Sequence, residues 1–326
     1  MDSKNLLDVK HLTRIFTLGG VMSKGELTAV DDVSFNIPAE KPTIVTLAGE
    51  SGSGKTTVSR LVLGFLKPTS GEIIYQGKNI WKMSRSEWKT YRKEIQAVFQ
   101  DPFAAFNPLH KADRVLKIPL KRFGLTKSEE ETNELISEAL ETTGLRTQDI
   151  TNKYPDQLSG GQRQRLMLAK AFLLRPKIIV ADEPVSMIDA SLRAGILNLM
   201  IDSNKECGIS YIYITHDLST ARYVSDTIMI MYQGSIMETG FADRIIGEPL
   251  HPYSKMLVSS IPVPDPEHRW RERLELPKME LTDKSRTVKG CKFYNRCPER
   301  MEKCAEIRPS LAEINNERWV NCHLFQ

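Results

Sequence analysis

The sequence predicts an α/β fold with a parallel sheet at its centre. Three observations carry that prediction. Short β-rich runs such as "PTIVTLAGE", "KIIVADEP" and "SYIYITHD" alternate with stretches of helical period, as βαβ units require. A glycine-rich loop, "GESGSGKTT", stands between an apolar strand and a helix. The 326 residues are 40% hydrophobic and 26% charged, which is ordinary for a globular chain with room for a large core.

Taken in order, residues 6–48 read as strands and turns, ending in a buried apolar strand. A helix follows in "TTVSRLVLGFLKP" and stops at Pro68, and "GEIIYQGKNI" reads as a surface hairpin. Residues 112–174 are mostly helical. In "KSEEETNELISEALETTGL" the pairs Leu135/Ile136 and Ala139/Leu140 recur at helical spacing, with acids crowding the first turn. "ASLRAGILNLMIDSNKECG" is a helix between two β-runs. Pro262, Pro264 and Pro266 then mark a boundary before a cysteine-bearing tail.

Composition excludes several classes. The net charge of +4 is mild and no basic run is dense, so nucleic acid is not an expected partner. The N-terminal "MDSKNLLDVKHLTRIF" lacks the apolar core of a signal peptide. No apolar run approaches the ~18 residues that span a bilayer. A cytosolic setting follows, in which thiols stay reduced.

The loop fits G-x-x-x-x-G-K-[ST] with Gly49, Gly54, Lys55 and Thr56 in the fixed places, the pattern of a phosphate-binding P-loop. Its glycines let backbone N–H groups wrap phosphate oxygens, and the helix N-terminus adds positive potential. Ser51, Gly52, Ser53 and Thr57 complete the cradle. Lys55 is expected on the β- and γ-phosphates and Thr56 on magnesium. In "IIVADEP" two acids end a buried strand: Asp182 is expected to hold the magnesium shell, and Glu183 to polarise a water as general base. His216 ends another strand of the same sheet, at the edge where ligands bind, within reach of a γ-phosphate. Gln100 likewise follows an apolar strand, and says little alone.

"LSGGQRQR" changes that. With the phosphate loop, "IIVADEP", Gln100 and His216, it closely resembles the ATP-binding cassette of ABC transporters over about 250 residues. The resemblance implies a RecA-like core with an antiparallel β subdomain and an α-helical subdomain near 101–174. It implies a cassette over 1–261 and a small extension over 262–326. Ser159, Gly160, Gly161 and Gln162 resemble the signature that binds ATP on an opposing cassette. Gln100 resembles the Q-loop residue that senses magnesium, His216 the switch histidine, Asp189 the D-loop aspartate, and Phe16 the aromatic that stacks on adenine. A glycine pair at a helix start offers N–H groups to an anion, which suits that trans role.

"HPYSKMLVSSIP" and the tail "GCKFYNRCPERMEKC" narrow the resemblance to the oligopeptide/dipeptide importer ATPases. Met187 and Ile188 depart from the more usual Ala-Leu before Asp189. The implied cofactors are ATP and magnesium. The implied partners are a second, related cassette forming a heterodimer, two transmembrane permeases, and an extracellular binding protein. The chain would then lie peripherally on the cytoplasmic face of the membrane and power import of peptides or oligosaccharides. Nickel import and a soluble ABC ATPase are the alternatives.

Four of the five cysteines fall in the last 36 residues: Cys291, Cys297, Cys304 and Cys322. Their intervals match neither the common zinc nor the common ferredoxin spacings. Reduced thiols favour a metal over disulfides. Family resemblance implies a 4Fe–4S cluster, with zinc and a metal-free cluster of buried thiols as the other readings. Such a metal would staple a tail too small to build a core.

Overall fold

The computed structural model describes residues 4–18, 25–101, 105–261, 289–315 and 317–326. The proline-rich boundary lies outside them. Two long antiparallel strands, β1 (Asn5–Leu18) and β2 (Gly25–Pro38), begin the chain. The wholly buried β3 (Ile44–Ala48) leads through the phosphate loop into α1 (Lys55–Val62). The hairpin β4 (Ser70–Tyr75) and β5 (Lys78–Asn79) returns to pair with β1, giving a four-stranded layer in the order β2-β1-β4-β5. α2 (Arg85–Glu94) opens on a capping box between Ser84 and Glu87, and runs into β6 (Ile95–Val98).

The helical lobe follows: α3 (Arg114–Phe123), α4 (Glu129–Thr142), α5 (Thr147–Ile150) and α6 (Gly160–Phe172). Ser128 caps α4 through the Glu131 N–H at 3.1 Å, and three glutamates in its first turn face the positive end of the helix dipole. The chain then alternates β7 (Ile178–Asp182), α7 (Ala190–Cys207), β8 (Ser210–Thr215), α8 (Leu218–Val224) and β9 (Thr227–Tyr232). A two-residue turn joins β9 to β10 (Ser235–Phe241), followed by α9 (Ala242–Gly247) and α10 (Pro252–Ser259). The tail holds α11 (Lys303–Glu306), β11 (Ala312–Asn315) and β12 (Arg318–Val320).

The central sheet runs β11-β12-β10-β9-β3-β8-β7-β6, and β9, β3, β8, β7 and β6 are parallel. Both faces are covered, which explains why β3, β7 and β8 are apolar without alternation. One core joins the sheet to the helical lobe through Leu116, Leu140, Leu166 and Ile196. A second joins it to the four-stranded layer and α1 through Leu12, Val33, Leu61 and Ile73.

The tail differs from a separate appendage in need of a staple. β12 pairs with β10, so the tail lengthens the cassette's own sheet. Phe293, fully buried, packs against Tyr232 and Tyr253 with ring centroids 5.3 Å from each. Arg318 meets the buried carboxylate of Glu238 at 2.6 Å. A tail too short for its own core has borrowed one from the cassette.

Candidate functional site

Four parallel strands deliver the candidate residues to one edge. The phosphate loop leaves β3, Gln100 follows β6, Asp182 and Glu183 end β7, and His216 follows β8. All lie at carboxyl ends of strands, where open α/β sheets bind ligands.

Close packing explains the glycines at two places. A Cβ on Gly49 would sit 2.2 Å from the Met231 carbonyl oxygen, and one on Gly54 2.3 Å from that of Ala29. Both residues also have positive φ, 149° and 104°. Gly54 opens α1 with no side-chain cap and no acid in the first turn, so the first N–H groups remain for an anion. The Lys55 ammonium is buried and held by Gly49 O at 2.7 Å and Glu50 O at 2.8 Å. Burial lowers its pKa, and the carboxylates of Glu183, Asp182 and Glu50 oppose that shift. Ser53 is buried beneath the loop, whereas Ser51, Gly52 and Thr56 are exposed and Thr57 is half-buried. Asp182 is pushed up by burial and by the charge of Glu183, while a hydrogen bond from the Thr56 hydroxyl pulls it down. The two expected magnesium ligands, Thr56 and Asp182, are therefore in contact.

Glu183 joins the other two candidates. Its Oε2 accepts the Gln100 side-chain amide at 3.0 Å, and its Oε1 lies 3.0 Å from His216 Nδ1. Its φ of 48° is left-handed, a strain of about 1–2 kcal/mol for a residue with a side chain. The Glu183 N–H donates to Ile214 O at 2.9 Å and its carbonyl accepts the Ser186 hydroxyl at 3.0 Å, which hold that conformation.

Ser159 to Gln162 stand apart from this group, at the start of α6. The Ser159 hydroxyl accepts the Gln162 N–H at 3.2 Å, and Gln162 Oε1 accepts the Ser159 N–H at 2.9 Å. This capping box leaves the N–H groups of Gly160 and Gly161 at the helix start. Gly161 packs so closely on α7 that a Cβ would lie 2.9 Å from Leu192 Cδ1. Asp189 is exposed at the start of α7 and does not cap it with its side chain. Phe16 lies near the end of β1, half-buried, with the Arg14 guanidinium 4.7 Å from its ring centroid.

Cys291, Cys304 and Cys322 are buried and Cys297 is half-buried; all are free thiols. Cys291 N–H donates to Cys304 O at 2.8 Å. Burial raises the thiols of Cys291, Cys297 and Cys322, that of Cys297 to about 11, and neighbouring cysteines push the same way. Among the described residues no group of three or more His, Cys, Asp or Glu is assembled to hold a metal ion. His323 Nε2 lies 2.9 Å from Ile307 O.

One set of contacts escaped the sequence reading. Glu50, the second residue of the phosphate loop, pairs with Arg296 of the tail, and its N–H donates to the Tyr253 hydroxyl at 3.0 Å. The signal was present: an acid inside an anion-binding loop needs a cation nearby.

Fold and site together define an ATP-binding cassette, a P-loop ATPase. The ABC transporter family profile matches residues 30–186, and that of the oligopeptide/dipeptide transporter C-terminal region matches residues 237–304. The chain belongs to the ABC transporter family as an ATP-binding, ATP-hydrolysing protein. It is 37% identical to the oligopeptide transport ATP-binding protein OppF of Haemophilus influenzae, over 97% of this chain and 96% of that one. It is 40% identical to the dipeptide transport ATP-binding protein DppF of the same organism, over 91% and 89%. The dimeric, post-hydrolysis ATP-binding cassette MJ0796 bound to ADP and Pi superposes with a TM-score of 0.63 at 27% identity, over 72% of this chain and 98% of that one.

Proposed function

We propose that this chain is the motor of a peptide importer. Peptide as cargo follows the names of the oligopeptide and dipeptide transport relatives given above. The observation that carries the ATPase reading is the connected group Gln100–Glu183–His216, beside a phosphate loop that opens an uncapped helix. Lys55 and the loop N–H groups bind the triphosphate, and Phe16 stacks on adenine. Thr56, Asp182 and Gln100 would hold magnesium, which would supply charge neutralisation at the phosphates. Glu183 takes the proton of the attacking water, and His216 orients Glu183 and contacts the γ-phosphate.

A second cassette, a related chain, closes the site with its Ser159-type signature and Asp189-type loop. Ser159 and Gln162 satisfy each other, so what α6 offers across such an interface is the N–H pair of Gly160 and Gly161. The 1–261 unit docks on permeases through the helical lobe, where Leu109 and Ile118 offer exposed apolar side chains. The motor is then peripheral; among the described residues no helix is long and apolar enough to cross a membrane. The test is ATP hydrolysis in liposomes carrying the cognate permeases and binding protein. We expect peptide to stimulate hydrolysis and Glu183→Gln to abolish the stimulation. Hydrolysis indifferent to permeases and peptide would refute the motor reading.

For the 262–326 extension, we propose that the four cysteines take up metal, a 4Fe–4S cluster in preference to zinc. Donor chemistry supports this. The backbone N–H groups of Phe293, Glu299 and Leu324 bond to the sulfurs of Cys291, Cys297 and Cys322, an arrangement that favours thiolates. Because burial raises the thiols of Cys291, Cys297 and Cys322, loading would release protons and strengthen at higher pH. Iron, zinc and acid-labile sulfide per anaerobically purified chain decide it: about four irons and four sulfides for the cluster, one zinc without sulfide for the alternative, no metal against both.

A further inference from the structure

The phosphate loop is gripped from behind by the two segments nearest the chain's C-terminus. Arg296 Nη1 and Nη2 lie 2.8 Å from Glu50 Oε2 and Oε1 respectively, a two-pronged pair across 246 positions. The guanidinium rests over Tyr232 and Phe293, 5.6 and 5.8 Å from their ring centroids. Tyr253 arrives from α10. That helix starts at Pro252, and His251 Nδ1 accepts the Tyr253 N–H at 2.9 Å, which places the ring. The Tyr253 hydroxyl accepts the Glu50 N–H at 3.0 Å. The Glu50 carbonyl in turn accepts the Lys55 ammonium and, at 3.2 Å, the Ser53 N–H. Every polar group of Glu50 is thus occupied, and its carbonyl helps hold the lysine that reads phosphate.

A second grip lies beside the first. Gly234 N–H donates to Ser53 O at 2.8 Å, and its carbonyl accepts Asp31 N–H at 2.9 Å. Lys292 and Arg308 of the tail hold the Asp31 carboxylate at 2.7 and 2.9 Å.

We propose that Arg296 is a positioning residue for ATP, acting through Glu50: it fixes the entry of the phosphate loop and cancels a carboxylate that would otherwise oppose the triphosphate. The inference rests on the reading of this loop as the ATP site. The cysteine-bearing tail then forms the rear wall of the nucleotide site, and Cys297, the neighbour of Arg296, lies one peptide bond from that wall. Charge makes the proposal specific. Losing Arg296 leaves Glu50 unpaired and repulsive, whereas losing both removes the repulsion as well.

The experiment uses the full chain, with binding of a fluorescent ATP analogue, KM and kcat for ATP in the assembled transporter, and thermal stability. Arg296→Gln is expected to raise KM and the analogue's Kd about tenfold with kcat within about twofold. Adding Glu50→Gln to it should recover at least half of the loss. Arg296→Lys, which keeps the charge but not the fork, should fall between and serves if Arg296→Gln does not fold. A lower melting temperature with unchanged KM, or additive losses in the double variant, would overturn the inference. Lys55→Ala separates the two readings. If it still binds the analogue, the ATP-site assignment fails; if it does not bind while Arg296→Gln binds normally, only the present inference fails.

Discussion

Glu183 and His216 meet across the ends of adjacent strands, with Glu183 Oε1 3.0 Å from His216 Nδ1, while the other carboxylate oxygen accepts Gln100. The carboxylate is thereby aimed by two neighbours, from β6 on one side and β8 on the other. A general base must be held in this way to act on a water beside a phosphate.

Glu183→Gln keeps the shape and one acceptor but loses the base. Turnover is expected to fall roughly 10²–10⁴-fold with ATP binding retained. Single-turnover hydrolysis alongside equilibrium ATP binding checks it. Full activity in this variant would falsify the base assignment.

His216→Ala frees one oxygen of Glu183, and Gln100→Ala the other. If both act by aiming Glu183, each should lower kcat more than it raises KM. In combination with Glu183→Gln neither should cost much more than Glu183→Gln alone, because residues acting as a unit are not additive. Multiplicative losses in the double variants would show independent roles.

Arg318→Met leaves the Glu238 carboxylate, which is 0% exposed, without its cation. Breaking one side of a buried pair costs about 3–5 kcal/mol. For a chain of this size that is a fall in melting temperature of roughly 4–7 °C. Glu238→Gln on top should restore more than half, since an amide oxygen in the place of Oε2 still accepts the N–H groups of Leu250 and His251, which lie 3.3 and 3.0 Å from that oxygen. A variant as stable as the parent would place the tail's anchorage elsewhere.

Burial holds His251 at about 4, against an ordinary value of 6.5. The folded state binds its proton less readily than the unfolded state. The stability is therefore intact above pH 6.5, declines as pH falls, and has lost its full share, about 3 kcal/mol, below pH 4. His251→Asn keeps an acceptor at the start of α10 and cannot titrate. Urea unfolding of both proteins between pH 7 and 4 should show a shallower decline in the variant. Parallel curves would mean that folding leaves the His251 pKa where it stands in the unfolded chain.

Chemistry that depends on neighbouring residues was legible in the sequence. The spacing of Gly49, Gly54 and Lys55 marks a glycine-rich loop between a strand and a helix, and the loop joins β3 to α1. The apolar runs ending at Asp182 and Thr215 specify buried strands with polar ends, because a strand covered on both faces has no polar alternation. Two helix starts were visible, one in the acids that follow Ser128 and one in the glycine pair that follows Ser159. Tertiary structure decided which ends meet. Strand order is set by crossovers and packing between residues far apart in the chain, so no local pattern states that β7 lies between β6 and β8 and puts Glu183 between Gln100 and His216. The same holds for the tail. Its cysteines were conspicuous by spacing, but Arg296 is one arginine among many until the fold carries it across 246 positions to the carboxylate of Glu50. An ion pair is chosen by where two charges are left without water, and only the packed chain determines that.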